Sequence, residues 1–262
     1  MTQKTHSTAL ITGASQGIGR ELAEVCAQNG HNLVLIARNE QALQETAQTL
    51  KEKYGITAHV VSQDLAKPQA ADEIHKWLTQ KQIPIDILIN NAGFGVYGWF
   101  WETDEQKMLD MLQLNMTSIV HLTKLLLPAM QKQKQGYILN VGSLAGFQPT
   151  PLAPLYVATK AFLLSFSESL NNQLEGSGVG VSVLCPGPTR TQFFGEVDES
   201  KISGILGPMD PKLVAQIGYN GLMKKKTIII PGLINTIAAI APRFFPRAVV
   251  VKLVRWGQEH FS

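Results

Sequence analysis

The chain has 262 residues and a formal net charge of +3, and 45% of its residues are hydrophobic. This length suits one large α/β domain or, less often, two small ones, with enough apolar residues for a sizeable core. The small net charge argues against a nucleic-acid-binding protein, and no basic stripe interleaved with aromatic residues runs through the main part of the chain.

Short apolar runs alternate with amphipathic segments along the chain, which predicts alternating strands and helices. The predicted strands are 7–12, 32–37, 57–62, 85–90, 137–141, 179–184 and 227–230. The predicted helices are 20–29, 40–54, 68–81, 105–133 and 155–175. We expect Pro128 to bend or interrupt the last turns of the fourth helix. This order predicts one α/β domain over residues 1–262, with a doubly wound parallel sheet of about seven strands and helices on both faces.

A glycine-rich turn joins the first predicted strand to the first predicted helix. Its glycines are Gly13, Gly17 and Gly19, in the spacing Gly-x-x-x-Gly-x-Gly. Glycines let the backbone approach a pyrophosphate, and the free N–H groups of the following helix face its negative charge. A tight strand–helix turn is the alternative. The order strand, turn and helix favours a dinucleotide site.

The end of the second predicted strand indicates which dinucleotide binds. Many NAD-binding folds carry an acid there for the ribose 2′-hydroxyl, but this chain has Ala37 and Arg38. An arginine suits a 2′-phosphate through charge-assisted hydrogen bonds, which Ser15 and Arg20 could supplement. The sequence therefore favours NADP(H) over NAD(H). The alternative is that Arg38 is a solvated residue at a strand end.

A tyrosine and a lysine four residues apart point to proton transfer. Tyr156 and Lys160 share one face of a predicted helix, and Ser143 lies thirteen residues before Tyr156. A tyrosine loses its proton near pH 10, and a neighbouring ammonium should lower its pKa toward the working range. Ser143 can hydrogen-bond the oxygen that gains or loses the proton. Together these side chains could serve a carbonyl/alcohol interconversion, whereas alone they would be a surface helix pair and a turn cap.

Five motifs together resemble the short-chain dehydrogenase/reductase family. They are Thr12-Gly13-x-x-x-Gly17-Ile18-Gly19, Asn90-Asn91-Ala92-Gly93, Ser143, Tyr156-x-x-x-Lys160 and Pro186-Gly187-x-x-x-Thr191. They cover roughly residues 5–195. Gln16 departs from the pattern, since many NADP-preferring members carry a basic residue there. The resemblance implies a single-domain Rossmann-type fold, an NAD(P)-dependent oxidoreductase and a homodimer or homotetramer formed through the long helices.

The resemblance also implies a role for each matching residue. Tyr156 would be the general acid in reduction and the base in oxidation, Lys160 would lower the Tyr156 pKa and hold the nicotinamide ribose, and Ser143 would position the substrate oxygen. Asn115 would support a proton-relay water beside the lysine. The expected cofactor-binding residues are Gly13, Ser15, Gln16, Gly17, Ile18, Gly19, Arg38, Asp64, Leu65, Asn91, Ala92, Gly93, Tyr156, Lys160, Pro186, Gly187, Thr189 and Thr191.

The segments expected to contact substrate are rich in large apolar residues. They are residues 94–101, 144–150 and 191–208, with the candidates Phe94, Val96, Tyr97, Trp99, Phe100, Trp101, Phe147, Phe193, Phe194, Ile202, Ile205 and Leu206. Cations are sparse there, Arg190 and Lys201 being the main ones. The sequence predicts an apolar, lipid-like carbonyl or secondary alcohol, with residues 191–208 as a lid. Any single one of these aromatics could instead be a core or dimer residue.

The C-terminal tail, residues 232–262, combines apolar and basic residues. Residues 232–241 carry no charge and are too few to span a bilayer. Arg243, Arg247, Lys252 and Arg255 then alternate with apolar residues, as in a basic amphipathic helix. Two interpretations stay open. The tail could cover the pocket or pack against a second subunit, or it could make a peripheral contact with an anionic membrane.

Cysteine usage predicts neither a metal site nor a disulfide. Cys26 and Cys185 belong to no Cys-x-x-Cys or Cys/His cluster, so we expect both to pack in the core. The segment before the first strand is short and polar, unlike a secretory signal. We therefore expect a cytoplasmic protein.

The sequence favours an NADP(H)-dependent carbonyl reductase or alcohol dehydrogenase. One alternative is a 3-ketoacyl thioester reductase of lipid synthesis, which uses the same chemistry on a carrier-bound substrate. Another is a nucleotide-sensing protein without catalysis, which would be expected to lack Ser143, Tyr156 or Lys160, although all three are present. A membrane scaffold built on the tail is a third.

Overall fold

The computed structural model describes residues 7–191, 193 and 207–260. In this part of the chain, seven parallel strands form one sheet in the order β3-β2-β1-β4-β5-β6-β7. The strands are β1 Thr8–Thr12, β2 Asn32–Ala37, β3 Ala58–Ser62, β4 Ile87–Asn90, β5 Gly136–Val141, β6 Val179–Leu184 and β7 Ile228–Ile229. The predicted doubly wound parallel sheet is confirmed.

Seven helices connect successive strands or lie between them in the chain, and two more follow β7 in the described residues. They are α1 Gly17–Gln28, α2 Glu40–Tyr54, α3 Ala70–Lys81, α4 Glu105–Leu112, α5 Ser118–Gln133, α6 Pro154–Gln173, α7 Pro211–Met223, α8 Leu233–Ile240 and α9 Arg247–His260. Three short 3-10 turns, Phe100–Glu102, Leu144–Phe147 and Ala241–Phe244, and a π turn, Gln113–Thr117, complete the described elements.

Each face of the sheet is covered by its own layer of helices. Side chains of α1, α2 and α7 pack on one face with Ile11 of β1, and side chains of α3 and α5 pack on the other with Leu10. Neighbouring residues of a strand point to opposite faces, so an unbroken apolar strand supplies both cores. The sheet is therefore held rigid from both sides, and its carboxyl edge can position side chains accurately.

The predicted start of the first helix is wrong, and the expected interruption at Pro128 is absent. The helix predicted to begin at Arg20 begins at Gly17, directly in the glycine turn, which brings its first N–H groups to the edge of the sheet. Pro128 does not interrupt α5, which continues to Gln133. The carbonyl of Lys124 loses its helical partner to the proline, but Lys124 is exposed, where water can replace that bond.

Two further features have no counterpart among the predicted elements. The predicted helix 105–133 contains the π turn Gln113–Thr117, which holds Asn115. Helix α7 begins after Asp210, whose side chain accepts a hydrogen bond from the Lys212 N–H, with Pro211 in its first turn. An N-cap aspartate and a proline in the first turn are ordinary signals of a helix start.

Candidate active site

The carboxyl ends of six neighbouring strands, β3, β2, β1, β4, β5 and β6, open into one cleft of about 650 Å³. The glycine turn follows β1, Asn91 follows β4, Ser143 lies beyond β5, and Pro186 lies beyond β6. The cleft straddles β1 and β4, where the strand order reverses direction. Open parallel sheets bind their ligands at this switch point.

The glycine turn packs too closely on its surroundings for side chains. Gly13 and Gly17 have φ values of 66° and 55°, which favour glycine. A Cβ on Gly13 would lie 2.7 Å from Asn91 Nδ2 and 2.9 Å from Ala92 Cα. Ser15, Gln16, Gly17 and Ile18 line the cleft with Gly13. The Gln16 side chain does not cap α1, so first-turn N–H groups are available to an anion.

Gly19 does not line the cleft. It lies behind the turn, where a Cβ would collide with the Gly13 carbonyl oxygen and with Asn91 Nδ2. Its position lets α1 approach the strand end closely, so any effect of Gly19 on a ligand is indirect.

Asn91 and Thr12 fasten the two sides of the cleft together. Asn91 Nδ2 donates to the carbonyl oxygens of Thr12 at 2.9 Å and Gly13 at 3.2 Å. Thr12 Oγ1 accepts from the backbone N–H groups of Asn91 at 3.0 Å and Ala92 at 2.9 Å. The Asn91 side chain thus shapes the glycine turn, and Ala92 and Gly93 continue the lining.

Arg38 and Ser15 both line the cleft, and Arg38 directly follows the end of β2. Arg38 is exposed there, whereas Arg20 is not part of the lining. Asp64 and Leu65 line the same end, and Asp64 Oδ1 accepts a hydrogen bond from the Ala66 N–H at 3.0 Å. Sequence analysis missed four other lining residues, Ala37, Asn39, Ala42 and Gln63. Their positions at or just after the ends of β2 and β3 were the available signal.

Ser143, Tyr156 and Lys160 meet on the opposite side of the cleft. The Tyr156 side chain is hydrogen-bonded to that of Ser143. Lys160 Nζ donates to the Val141 carbonyl oxygen at 2.8 Å and lies 5.7 Å from the centroid of the Tyr156 ring. Tyr156 is 7% exposed and Lys160 is 5% exposed, although both line the cleft. Ser143 Oγ also accepts from the Ala145 N–H at 3.1 Å, which fixes its direction.

Burial controls the protonation of Tyr156 and Lys160. It raises the pKa of Tyr156 to about 12, against a smaller lowering by the hydrogen bond with Ser143. It lowers the pKa of Lys160 to about 8. The predicted fall of the Tyr156 pKa toward neutral pH is therefore wrong for this structure, because burial disfavours the charged phenolate. Tyr156 is accordingly a proton donor at neutral pH.

Asn115 does not line the cleft but lies directly behind it. Its Oδ1 accepts from the Phe94 N–H at 3.2 Å, and its Nδ2 donates to the Phe94 carbonyl oxygen at 2.9 Å and to Thr159 Oγ1 at 3.2 Å. Thr159 Oγ1 in turn donates to the Tyr156 carbonyl oxygen at 2.7 Å. Asn115 thus joins the loop after β4 to the turn of α6 that carries the tyrosine.

The segment after β6 closes the cleft beside Lys160. Pro186, Gly187, Thr189 and Thr191 all belong to the lining. The Pro186 carbonyl oxygen accepts from the Leu144 N–H at 2.9 Å, which ties this segment to the one carrying Ser143. Thr189 Oγ1 donates to the Gly187 carbonyl oxygen at 3.0 Å.

The substrate end of the cleft is largely apolar. Its lining includes Tyr97, Leu144, Ala145, Gln148, Thr150, Ala153, Phe193 and Val254. Of the other described candidates, Phe94 and Val96 pack in a core cluster with Tyr156, and Phe147 does not line the cleft. Trp99, Phe100 and Trp101 are exposed outside it. Arg190 is not in the lining, so within the described residues the only cation at this end is Lys160.

Most of the predicted lid lies outside the described residues. Residues 192 and 194–206 are not described, and with them the candidates Phe194, Lys201, Ile202, Ile205 and Leu206. Thr191 and Phe193 are described and line the cleft. The Phe193 ring centroid lies 5.7 Å from that of Tyr156, so the start of this segment reaches the catalytic side chains.

The C-terminal tail borders the substrate end. Val254 of α9 lines the cleft, and the Arg255 guanidinium lies 5.8 Å from the centroid of the Trp99 ring. Asn235 of α8 packs on Gly187, where a Cβ would come within 2.7 Å of Asn235 Oδ1. The tail thus covers part of the pocket, which sequence analysis held open as one of two interpretations. No helix in the described part of the chain is long and apolar enough to cross a bilayer.

The described residues bring together no group of three His, Cys, Asp or Glu side chains that could hold a metal ion. Both cysteines are buried, and burial raises the pKa of each thiol to about 12. Cys185, although close to Ser143, is therefore a packed thiol and no nucleophile at neutral pH.

The chain is similar to a family of known dehydrogenases and to a curated reductase. A family model described as short chain dehydrogenase matches residues 7–202. A very-long-chain 3-oxoacyl-CoA reductase of Laccaria bicolor is 34% identical over 183 residues, which are 69% of this chain and 54% of that protein. The chain thus spans about half the length of the first of its curated relatives.

Two other similar proteins are covered over most of their length. The ketoacyl reductase HetN of a Nostoc species is 31% identical over 233 residues, 88% of this chain and 80% of that protein. A short-chain dehydrogenase from Sphingobium yanoikuyae, solved in complex with NADPH, superposes with a TM-score of 0.81 and 32% identity. The superposition covers 97% of this chain and 95% of that chain.

Proposed function

The chain belongs to the short-chain dehydrogenase family of oxidoreductases, and from that premise we propose that it is an NADP(H)-dependent reductase of an apolar carbonyl compound. The observation that carries the proposal is the meeting of Ser143, Tyr156 and Lys160 at one wall of a cleft whose other wall is a glycine turn. The first group can deliver a proton, and the turn can hold a dinucleotide.

The residues of the cleft fit a nicotinamide dinucleotide. The glycines of the turn leave no room for a Cβ, and the turn offers the first N–H groups of α1, as a pyrophosphate requires. Lys160 and the Pro186–Thr191 segment border the far end, at the position where the nicotinamide would lie. When bound there, the nicotinamide supplies the hydride.

The proton that the substrate oxygen receives comes from a side chain of this protein. Ser143 Oγ and Tyr156 Oη both hydrogen-bond the substrate oxygen, and Tyr156 gives up its proton as the carbonyl becomes an alcohol. The raised pKa of Tyr156 keeps that proton in place at neutral pH, which suits the reduction direction. The Lys160 ammonium, held by the Val141 carbonyl oxygen, stabilises the phenolate that forms. Asn115 fixes the turn of α6 carrying Tyr156 through Thr159.

NADP(H) is favoured over NAD(H) by Arg38. It lies exposed at the β2 end of the cleft, where its guanidinium would pair with a ribose 2′-phosphate, and Ser15 also lines the cleft. The carboxylate of Asp64 at this end already accepts a backbone N–H of its own loop.

The apolar substrate end favours a bulky or lipid-like ketone. Tyr97, Phe193 and Val254 supply apolar surface around Tyr156, and Gln148 and Thr150 supply the polar atoms. A second candidate is a 3-oxoacyl thioester, since two relatives are named as 3-oxoacyl-CoA and ketoacyl reductases. The reacting carbonyl would be bound in the same way.

Two wider expectations accompany this function. The chain would act in the cytoplasm, where NADPH is available. It would form a homodimer or homotetramer through the surfaces of α4, α5 and α6, on which Leu109 and Val120 are exposed apolar residues.

Turnover of a carbonyl panel tests the proposal. NADPH oxidation by the purified protein is followed with small ketones, bulky ketones, long-chain ketones and a 3-oxoacyl thioester. We expect turnover with a bulky or long-chain member and a preference for NADPH over NADH. If NADPH binds tightly and no carbonyl is reduced, the reductase function fails and a nucleotide-sensing role replaces it.

A further inference from the structure

The C-terminal tail exposes large apolar side chains on its outer surface. They form what we call the apolar rim: Leu233, Ile234, Ile237, Ile240, Phe244, Phe245, Val249, Leu253 and Trp256. Phe244 is 79% exposed and Leu233 is 76% exposed. Scattered apolar residues are normal on a protein surface, but a concentration of them in one segment indicates an interaction surface.

The spacing shows that the rim is a second apolar face on helices that already have a packed one. In α8, Leu233, Ile237 and Ile240 are exposed, whereas Asn235 and Ala239 are buried. In α9, Val250 is buried and Val254 lines the cleft, whereas Val249, Leu253 and Trp256 point outward. A surface helix ordinarily carries polar residues on the face that its domain leaves uncovered.

The charges of the tail indicate which kind of partner fits the apolar rim. Arg243, Arg247, Lys252 and Arg255 are exposed among the apolar residues, and residues 232–257 contain no aspartate or glutamate. Apolar side chains with interleaved cations fit the interface of a bilayer that contains anionic lipid. A second copy of the chain fits less well, because a two-fold interface through the rim would bring like cations together.

The rim also lies beside the entrance to the substrate end of the cleft. Helix α8 packs on Gly187 through Asn235, and α9 contributes Val254 to the lining. Arg255 lies over Trp99, whose ring is stacked on that of the exposed Trp101 at a centroid distance of 5.0 Å.

We propose that the apolar rim docks the protein on the surface of an anionic bilayer, with the substrate end of the cleft next to the lipid. Docking brings the cleft to where an apolar substrate is dissolved, a consequence that rests on the proposed function. The docking itself depends only on the rim and its cations. The aromatic residues enter the headgroup region, and the cations hold the anionic headgroups.

Vesicle co-sedimentation of the full chain tests the docking. The vesicles are phosphatidylcholine alone and phosphatidylcholine mixed with phosphatidylglycerol. We expect the protein to sediment with the mixed vesicles and much less with the neutral ones, and added salt should weaken the binding. The double variant Phe244→Ser/Phe245→Ser should lower partitioning into the mixed vesicles by at least about tenfold, since two exposed aromatics no longer insert.

Two double variants with the same change in net charge test whether the anionic vesicles attract the cations of the tail or simply the positive charge of the whole protein. Arg247→Glu/Lys252→Glu reverses two cations of the tail. Lys224→Glu/Lys226→Glu makes the same change in net charge at the exposed end of α7, near the start of β7 and thus at the sheet edge opposite the cleft. Because each basic residue near an anionic surface contributes about fivefold in affinity, we expect the first variant to lose at least about tenfold in partitioning and the second to change little.

Two results would overturn the docking. One is no sedimentation with mixed vesicles, or sedimentation that neither tail variant reduces. The other is a dimer in solution, measured by light scattering, that Phe244→Ser/Phe245→Ser dissociates while vesicles bind no protein; the rim would then be a subunit interface. Turnover of the carbonyl panel, including its bulky and long-chain ketones, is measured in parallel without vesicles. Turnover without vesicle binding would contradict the docking proposal and leave the reductase function standing. Vesicle binding without turnover would contradict the reductase function and leave the docking proposal standing.

Discussion

At the scale of single residues, the protonation of Tyr156 and Lys160 is decided by burial. Each is nearly inaccessible, and each is shifted toward its neutral form, the tyrosine pKa to about 12 and the lysine pKa to about 8. The spacing of the two residues indicates that they meet, but not how dry their surroundings are. That depends on side chains from β5, β6 and the loop after β4, which are distant in sequence.

The lysine pKa predicts the pH dependence of reduction. Lys160 loses its charge as the pH rises through about 8, and neutral lysine no longer stabilises the phenolate formed on Tyr156. We therefore expect kcat/KM for ketone reduction to be level below pH 7 and to fall above an apparent pKa near 8. Lys160→Met should lower the rate and remove this limb of the profile. A wild-type profile that stays level to pH 10 would contradict the assignment.

Arg38 predicts the choice of cofactor. Charge-assisted hydrogen bonds contribute about 1.5–3 kcal/mol each, so Arg38→Ala should raise the KM for NADPH by about tenfold or more and leave the KM for NADH within about twofold. Arg20→Ala is the matched control, because Arg20 is an exposed arginine that does not line the cleft. Equal effects on both cofactors would remove the basis for the NADP(H) preference.

At the scale of elements, the strands and the motifs at their ends could be predicted because their signals are local. The apolar runs of β1, β4 and β5 are each followed at once by glycine or asparagine, which favours a chain turn at the strand end. Helix α7 also carries local signals in Asp210 and Pro211. By contrast, the π turn at Asn115 and the place of Val254 in the cleft arise from packing between elements far apart in the chain.

Helix α9 offers a matched test of its two faces. Val254 lines the substrate end of the cleft, whereas Val249 is exposed on the rim. Val254→Ala removes apolar contact with the substrate, so its KM for a bulky ketone should rise several-fold, at about 0.8 kcal/mol per buried methylene. Its affinity for NADPH should not change. Val249→Ala should leave the KM for the same ketone unaltered, and equal effects of the two substitutions would show that α9 is not a wall of the cleft.

At the scale of the whole molecule, the fold places all its candidate chemistry on one edge of one sheet. Residues from the first strand to the last helix line a single cleft. The sheet is packed on both faces, and a ligand in the cleft contacts segments that follow several neighbouring strands. Ligand binding should therefore stabilise the entire domain.

This stabilisation is measurable as a thermal shift. At about one hundred times its Kd, a ligand that binds only the folded state adds about 2.7 kcal/mol. For a domain of this size, that corresponds to a rise in Tm of about 5–10 °C. NADPH should give this shift, NADH a smaller one at the same concentration, and Arg38→Ala should abolish the difference. No shift with either nucleotide would mean that the cleft does not bind them.

The proposed function depends on Tyr156 delivering the proton while the cleft binds NADPH. The most direct test compares Tyr156→Phe with Tyr137→Phe, a control at the start of β5 and outside the cleft lining, in NADPH-dependent turnover and in NADPH binding. Tyr156→Phe should lower kcat by roughly 10²–10⁴-fold with NADPH affinity nearly unchanged, and Tyr137→Phe should leave both close to wild type. Turnover by Tyr156→Phe at the wild-type rate, or loss of NADPH binding together with turnover, would contradict the account.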